Sequence, residues 1–279
     1  MSKRSFKEKV CWIVGASSGI GESLAKELNR QGAICIISAR HEENLRTVKS
    51  QCFNPDNVKI LKCDVEETDA LPAIAEAAWR LHGNIDYVFL NAGIAVRDLI
   101  VNTQTPMIVK SMNTNFLGAA VIARTLLPHM IAQGTGHFVV TSSISGKYGF
   151  PKLSAYAASK HALHGFFESL RAEHDKDGIR VIMVIPGLVK TGISLHGLKG
   201  DGSSYGKMQE SLKTGLSPEV CALRILKGVL KNKNEVIVGG VERFTILLNR
   251  LFPSLMAFII RNHPMQKLKA LRLKKATQS

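Results

Sequence analysis

Residues 10–15 read VCWIVG, apolar at every position before the glycine. The same texture returns in AICIISAR (33–40), VKILKCDV (58–65), IDYVFLNAG (85–93), GHFVVTSS (136–143), IRVIMVIPG (179–187) and EVIVGG (235–240). A strand with one wet face alternates apolar and polar residues, whereas a strand apolar throughout is buried on both faces. Between these runs lie helical patterns: SGIGESLAKELNRQG, EENLRTVKSQC, DALPAIAEAAWRLHG, a long stretch from about Pro106 to Gln133, and the segment carrying Tyr156 to about Lys176. Ser217-Pro218-Glu219 opens another helix, with a serine N-cap and a proline at the first helical position. The alternation predicts an α/β fold: a seven-stranded parallel sheet, doubly wound, with helices on both faces. No internal boundary or repeat interrupts residues 1–240, so they are expected to form a single domain. Residues 187–215 are glycine-rich and polar, and a connection of that length in a compact domain is usually functional.

With 279 residues the chain is long enough for one large α/β domain, and 45% apolar content makes it globular rather than disordered. The net charge of +15 points to an anionic cofactor, an anionic membrane surface or nucleic acid. From Val241 onward there are eight basic residues and one acid, so nearly half of the excess lies in the last segment. No nucleic-acid partner is expected, because the basic tail lacks interleaved aromatics. The five cysteines are odd in number and contain no C-x-x-C pair. They read as reduced core thiols of a cytoplasmic protein, with no disulfide framework or metal cluster. The charged start, MSKRSFKEK, has no apolar signal region, so secretion is not expected.

GASSGIG (15–21) follows the first strand and opens the first helix. Gly15, Gly19 and Gly21 let backbone approach a pyrophosphate, and the N–H groups around Ser17, Ser18 and Ile20 face it at the positive end of a helix. After a buried strand and before a helix, this loop predicts a dinucleotide and a Rossmann-like arrangement. At the end of the second strand stands Arg40 where an NAD site offers an acid, so a 2′-phosphate, and hence NADP(H), is expected. Asp64, with Val65 beside it, ends the third strand and is a candidate acceptor for the adenine amino group. Asn91, Ala92 and Gly93 end the fourth, beside the same crevice.

Tyr156 and Lys160 stand four residues apart, which puts them on one helix face. Together with the glycine loop, N-A-G at 91–93, N-x-x-G at 115–118, a serine on the fifth strand and P-G at 186–187, this order and spacing resembles the short-chain dehydrogenase/reductase family over roughly residues 6–240. SARHEENL and YAASKHALHGFFESLRAE look most like its NADP-using branch, near the membrane-associated hydroxysteroid dehydrogenases. Two positions depart from the pattern: Val14 replaces a frequent threonine, and Leu90 replaces the first of two asparagines. Both put the rigidity of the loops in doubt.

The resemblance implies that Tyr156 is the general acid/base and that Lys160 lowers its pKa and holds the nicotinamide ribose. An ammonium about 4 Å from a phenol favours phenolate by roughly 4 kcal/mol at an effective dielectric near 20, about three pKa units. Ser143 would bind the substrate oxygen. Ser142 is the alternative, and only one of two neighbours on a strand can face inward. Asn115, with Asn113 as its local competitor, would hold a relay water to Lys160. Pro186 and Gly187 would bracket the nicotinamide, Val189 would also touch the cofactor, and Thr191 would lie near the phosphates. His161 and His164, with no carboxylate partner evident, read as structural or interface residues.

Phe244–Lys275 is apolar first and basic last, broken by Pro253 and Pro264, and too short to span a bilayer with confidence. Two short amphipathic helices are expected over 241–279, a helical extension rather than a domain, resting on an anionic membrane surface and covering the substrate entrance. A lid packed on the domain or on a partner is the alternative. The function expected is interconversion of a lipophilic ketone or aldehyde and its alcohol. A 3-oxoacyl thioester reductase and a non-catalytic NADP-sensing module are the alternatives. The resemblance suggests a homodimer or homotetramer through the helices around 106–133 and 154–176.

Overall fold

The computed structural model describes residues 5–208, 212, 214–240 and 242–262. In the first unit, residues 1–239, seven strands form one sheet. They are β1 (Val10–Val14), β2 (Ile34–Ser38), β3 (Val58–Ile60), β4 (Tyr87–Leu90), β5 (Gly136–Thr141), β6 (Ile179–Pro186) and β7 (Glu235–Val238). The order is β3-β2-β1-β4-β5-β6-β7, and every pairing is parallel. The order reverses between β1 and β4, and ligands of such sheets bind at that switch point, beyond the carboxyl ends of the strands.

Each strand divides its side chains between two cores, which is why it reads apolar without alternation. On one face Cys11, Ile13, Cys35, Ile37 and Phe89 pack under α1 (Gly19–Arg30), α2 (Glu42–Ser50) and α7 (Pro218–Leu230). On the other, Trp12, Val14, Val88, Phe138 and Met183 pack under α3 (Leu71–Arg80), α5 (Gly118–Gln133) and α6 (Ser154–His174). All five cysteines are free and buried, and burial pushes the Cys63 and Cys221 thiols up to about 12.

Several elements differ from the sequence expectation; β4 and β5 end at Leu90 and Thr141, before the motif residues assigned to their ends. β3 was expected to reach Val65 but ends at Ile60. It is an edge strand, and its chain stays hydrogen-bonded to β2 only through Leu61 N to Ile37 O (3.1 Å) and Cys63 N to Ala39 O (3.1 Å) before a turn at Asp64. The long helix is α4 (Thr105–Met112) continued into α5 through a π turn at Asn113–Leu117. It covers 29 residues and is long and apolar enough to cross a membrane, yet Ile122, Leu126 and Met130 are fully buried in the sheet core. The 187–215 connection is partly organised by isolated bridges, Val189 to Leu216, Val96 to Leu198 and Leu198 to Ser204.

The second unit, residues 240–279, is described to Asn262 and holds α8 (Glu242–Leu251) and α9 (Pro253–Arg261), broken at Pro253 as expected. Pro264 and the basic residues from Lys267 onward lie outside the described residues.

At Gly118 α5 approaches the loop after β3 closely. A Cβ there would stand 2.5 Å from the Val65 carbonyl oxygen, which is backbone and cannot swing away. Gly118→Ala is expected to lower the unfolding free energy by about 1–3 kcal/mol, measured by urea denaturation.

Candidate active site

The glycine loop is built from close backbone approaches. Gly15 (φ +85°) and Gly19 (φ +59°) hold left-handed conformations. A Cβ on Gly15 would meet Ala92 Cα at 2.6 Å, and one on Gly21 would meet the Gly15 carbonyl oxygen at 2.0 Å. The Asn91 amide donates to that same carbonyl at 3.1 Å, bracing the loop from β4. The rigidity placed in doubt by Val14 and Leu90 is thus supplied by Asn91. Ser18 caps α1 from an exposed position, its hydroxyl making no cap bond, and Ser17 and Ile20 flank it. The Thr191 methyl lies 3.1 Å from where a Gly19 Cβ would be, so the loop after β6 reaches the phosphate cradle.

Arg40 is exposed just past β2. Asp64 closes its own turn by accepting from Glu66 N at 3.0 Å. Thr114 Oγ1 is buried with no hydrogen-bond partner, and Thr114 lines a small cleft with Val14, Val65, Leu90 and Ala92. Glycine cradle, exposed cation and orphan hydroxyl all lie where a dinucleotide would bind, so the residues present fit one.

Ser143 stands two residues past β5 and starts a turn, where its Oγ accepts from Ser145 N at 3.1 Å. Its hydroxyl acts on the Tyr156 phenol, favouring the ionised form. Ser142 turns instead to His164 Nε2 at 3.0 Å, so the two neighbouring serines face different groups. Lys160, on the same face of α6 as Tyr156, places Nζ 5.8 Å from the Tyr156 ring centroid and donates to the Thr141 carbonyl at 2.8 Å. Burial pulls its pKa down to about 8. Burial pushes the Tyr156 phenol up, opposed by the Ser143 hydrogen bond and by Arg97.

That last cation was not found in the sequence, where Lys160 alone was assigned the role. Arg97 lies four residues past the N-A-G motif, half-buried, its guanidinium 5.9 Å from the Tyr205 ring centroid. Its backbone N–H donates to Leu198 O at 2.8 Å, joining the loop after β4 to the 187–215 connection. A basic residue close behind a crevice motif was the available signal.

Asn115 sits in the π turn and is buried. Its Oδ1 accepts from Ile94 N at 2.7 Å, and its Nδ2 reaches Ile94 O (3.0 Å), Ser159 Oγ (2.9 Å) and Ser111 Oγ (3.2 Å). The Asn115 side chain thus braces the loop after β4 against α6. Asn113, its competitor, makes no such bridge among the described contacts. Pro186 ends β6, Gly187 N donates to Val238 O at 2.8 Å, and Val189 is buried beside Leu216. His164, read as lacking a carboxylate, has Glu168 one helical turn away with Nδ1 to Oε1 at 3.2 Å, while His161 bonds back to the Ala157 carbonyl. His164, Glu168 and Glu235 bring ligand atoms within 4.8 Å of one another, a trio unseen in the sequence, but the Lys147 ammonium already donates to Glu235 at 2.5 Å.

Residues 9–197 match the family model described as short chain dehydrogenase. A dehydrogenase/reductase SDR family protein 7-like of Drosophila melanogaster is 37% identical over 258 residues, covering 90% of this chain and 79% of the fly protein. Two solved structures share the fold. A short chain dehydrogenase/reductase of Burkholderia phymatum in complex with NAD has TM-score 0.79 and 21% identity, covering 90% of this chain and 96% of that one. An archaeal alcohol dehydrogenase of Thermococcus sibiricus, complexed with 5-hydroxy-NADP, has TM-score 0.71 and 22% identity, covering 85% and 98%. The chain belongs to the short-chain dehydrogenase/reductase family. It is an oxidoreductase of that family, whose fold implies a nicotinamide cofactor.

The depressed Lys160 pKa has a measurable consequence. Below pH 8 folded and unfolded chains both carry its proton. Between about 8 and the ordinary 10.5 the unfolded chain holds more of it, so this residue's contribution to stability rises with pH across that window. Lys160→Met is expected to remove that rise. Its stability relative to wild type will be greatest below pH 8 and fall towards pH 10.5, read by urea unfolding at several pH values.

Proposed function

We propose that the protein is an NADPH-dependent reductase of lipophilic ketones or aldehydes, able to run in reverse on the alcohols. The observation that carries the reading is the Ser143–Tyr156 pair with its phenol pushed up by burial. Reduction needs a proton delivered to an alkoxide, and a phenol held in its protonated form is suited to give one. Ser143 then orients the carbonyl oxygen, and Tyr156 donates from its hydroxyl. Lys160 keeps a cation beside the phenol, and Arg97 adds a second from the substrate side. The nicotinamide, when bound, supplies the hydride. Asn115 keeps the wall behind Lys160 rigid.

Arg40 favours NADP(H), since a guanidinium past β2 suits a 2′-phosphate. The lipophilic substrate class is supported by exposed Leu99, Ile100, Val101, Leu195 and Met208 on the two loops that meet at the Val96–Leu198 bridge. Exposed Ile108, Val109 and Leu117 on the long helix support a homodimer or homotetramer. Peripheral membrane contact is supported by α8 and α9, where Phe244, Leu247, Leu251, Phe252 and Phe258 are each more than half exposed. Arg243 and Arg261 lie over the rings of Phe244 and Phe258. Exposed apolar side chains flanked by two arginines suit an anionic interface, where each cation contributes about 1 kcal/mol.

In a panel of lipophilic carbonyls, wild type is expected to oxidise NADPH in preference to NADH, and Tyr156→Phe to lose about 10²–10⁴-fold in kcat. Arg40→Asp should cut the NADPH-over-NADH preference by about 10–100-fold, the worth of a charge-assisted hydrogen bond. NADPH binding without turnover, unaltered by Tyr156→Phe, would favour the sensing module instead. The full chain is also expected to sediment with vesicles rich in phosphatidylserine and not with neutral ones, and a chain ending at Gly240 to stay in the supernatant.

A further inference from the structure

Behind the catalytic pair a second polar chain runs through the protein. Ser142 Oγ, buried, lies 3.3 Å from the Lys160 carbonyl oxygen and 3.0 Å from His164 Nε2. His164 is also buried, with Nδ1 3.2 Å from Glu168. The turn after β5 closes over this junction. A Cβ on Gly146 would stand 2.4 Å from Ser142 Oγ, 2.9 Å from the Lys160 carbonyl oxygen and 3.2 Å from the His164 ring, so no other side chain fits.

Counting protons shows that these contacts are not independent. Ser142 has one O–H. With neutral His164 donating from Nδ1 to Glu168, Nε2 is an acceptor. Ser142 then donates to Nε2, and the Lys160 carbonyl receives nothing from it. The other neutral tautomer sets a bare nitrogen against a carboxylate. Only protonated His164 completes the chain, with Nδ1–H to Glu168, Nε2–H to Ser142 and the Ser142 proton to the Lys160 carbonyl.

We propose that His164 is a positioning residue whose proton sets which bond Ser142 makes, and thereby how the Lys160 turn of α6 seats against the strand end that carries Ser143. The charged groups facing it are Glu168 on its own helix, Lys147 from the turn after β5 and Glu235 from β7. Burial and then Lys147 lower its pKa, while Glu168 and Glu235 oppose them, so the switch operates on the acid side of the ordinary value of about 6.5. Its bearing on activity rests on the assignment of Tyr156 and Lys160 above, but the coupling itself does not.

The dipeptide Lys-His occurs once in the chain, at 160–161. Carbonyl-¹³C lysine with ¹⁵N histidine therefore gives a single correlation that reports the Lys160 carbonyl. In the full chain that signal is expected to shift with the His164 ring titration below pH 6.5. In Ser142→Ala the ring should still titrate while the carbonyl shift is lost, and in His164→Gln the carbonyl should be flat. A wild-type carbonyl that ignores the His164 titration, or one that still follows it in Ser142→Ala, overturns the proposal. Turnover surviving in Tyr156→Phe would instead overturn the catalytic assignment and leave this coupling readable.

Discussion

The Asn91 amide hydrogen-bonded to the Gly15 carbonyl is the contact on which the rest of the cofactor crevice depends. It ties the end of β4 to the loop after β1, the two strands between which the sheet order reverses. Gly21 brings α1 under the same carbonyl at a distance that no side chain permits. Three elements thus converge with backbone, not side chains, facing the crevice. This is what an anionic pyrophosphate requires, since backbone N–H groups and a helix terminus supply fixed positive dipoles without conformational cost.

Across the crevice burial dominates the electrostatics. It moves Lys160 towards the amine and Tyr156 towards the phenol, each away from its charged form. Partners act against that tendency: Ser143 and Arg97 on Tyr156, Glu168 and Glu235 on His164. A site made of partly desolvated groups with few neutralising partners is poised to respond when a charged ligand arrives, because the same Coulomb interaction is worth more in a less polar medium.

The layout of the sheet was readable because it follows from local composition. Strands buried on both faces must be apolar throughout, and VCWIVG, IDYVFLNAG and IRVIMVIPG are. Motif positions were readable for the same reason: Gly15, Gly19 and Gly21 lie between a strand and a helix that are themselves legible. Boundaries fared worse where pairing decides them, as at β3, whose edge position leaves it one partner and lets the chain peel away after Cys63. The π turn at Asn113–Leu117 has no counterpart in periodicity. It accommodates Asn115 reaching Ile94 and Ser159, contacts that join residues 21 and 44 positions apart.

The chain's order of residue types was enough to dictate a doubly wound α/β sheet, a glycine phosphate loop and a phenol one helical turn from an ammonium, since each is a short-range pattern of spacing and polarity. Tertiary structure alone decided that Ser142 turns to His164, which links it to Glu168, that Arg97 is a cation near Tyr156 besides Lys160, and that the Asn115 side chain braces the loop after β4. Those outcomes depend on strand register and on loops folded back over the sheet, which set distances between groups far apart in sequence. Spacing along the chain carries no record of such distances.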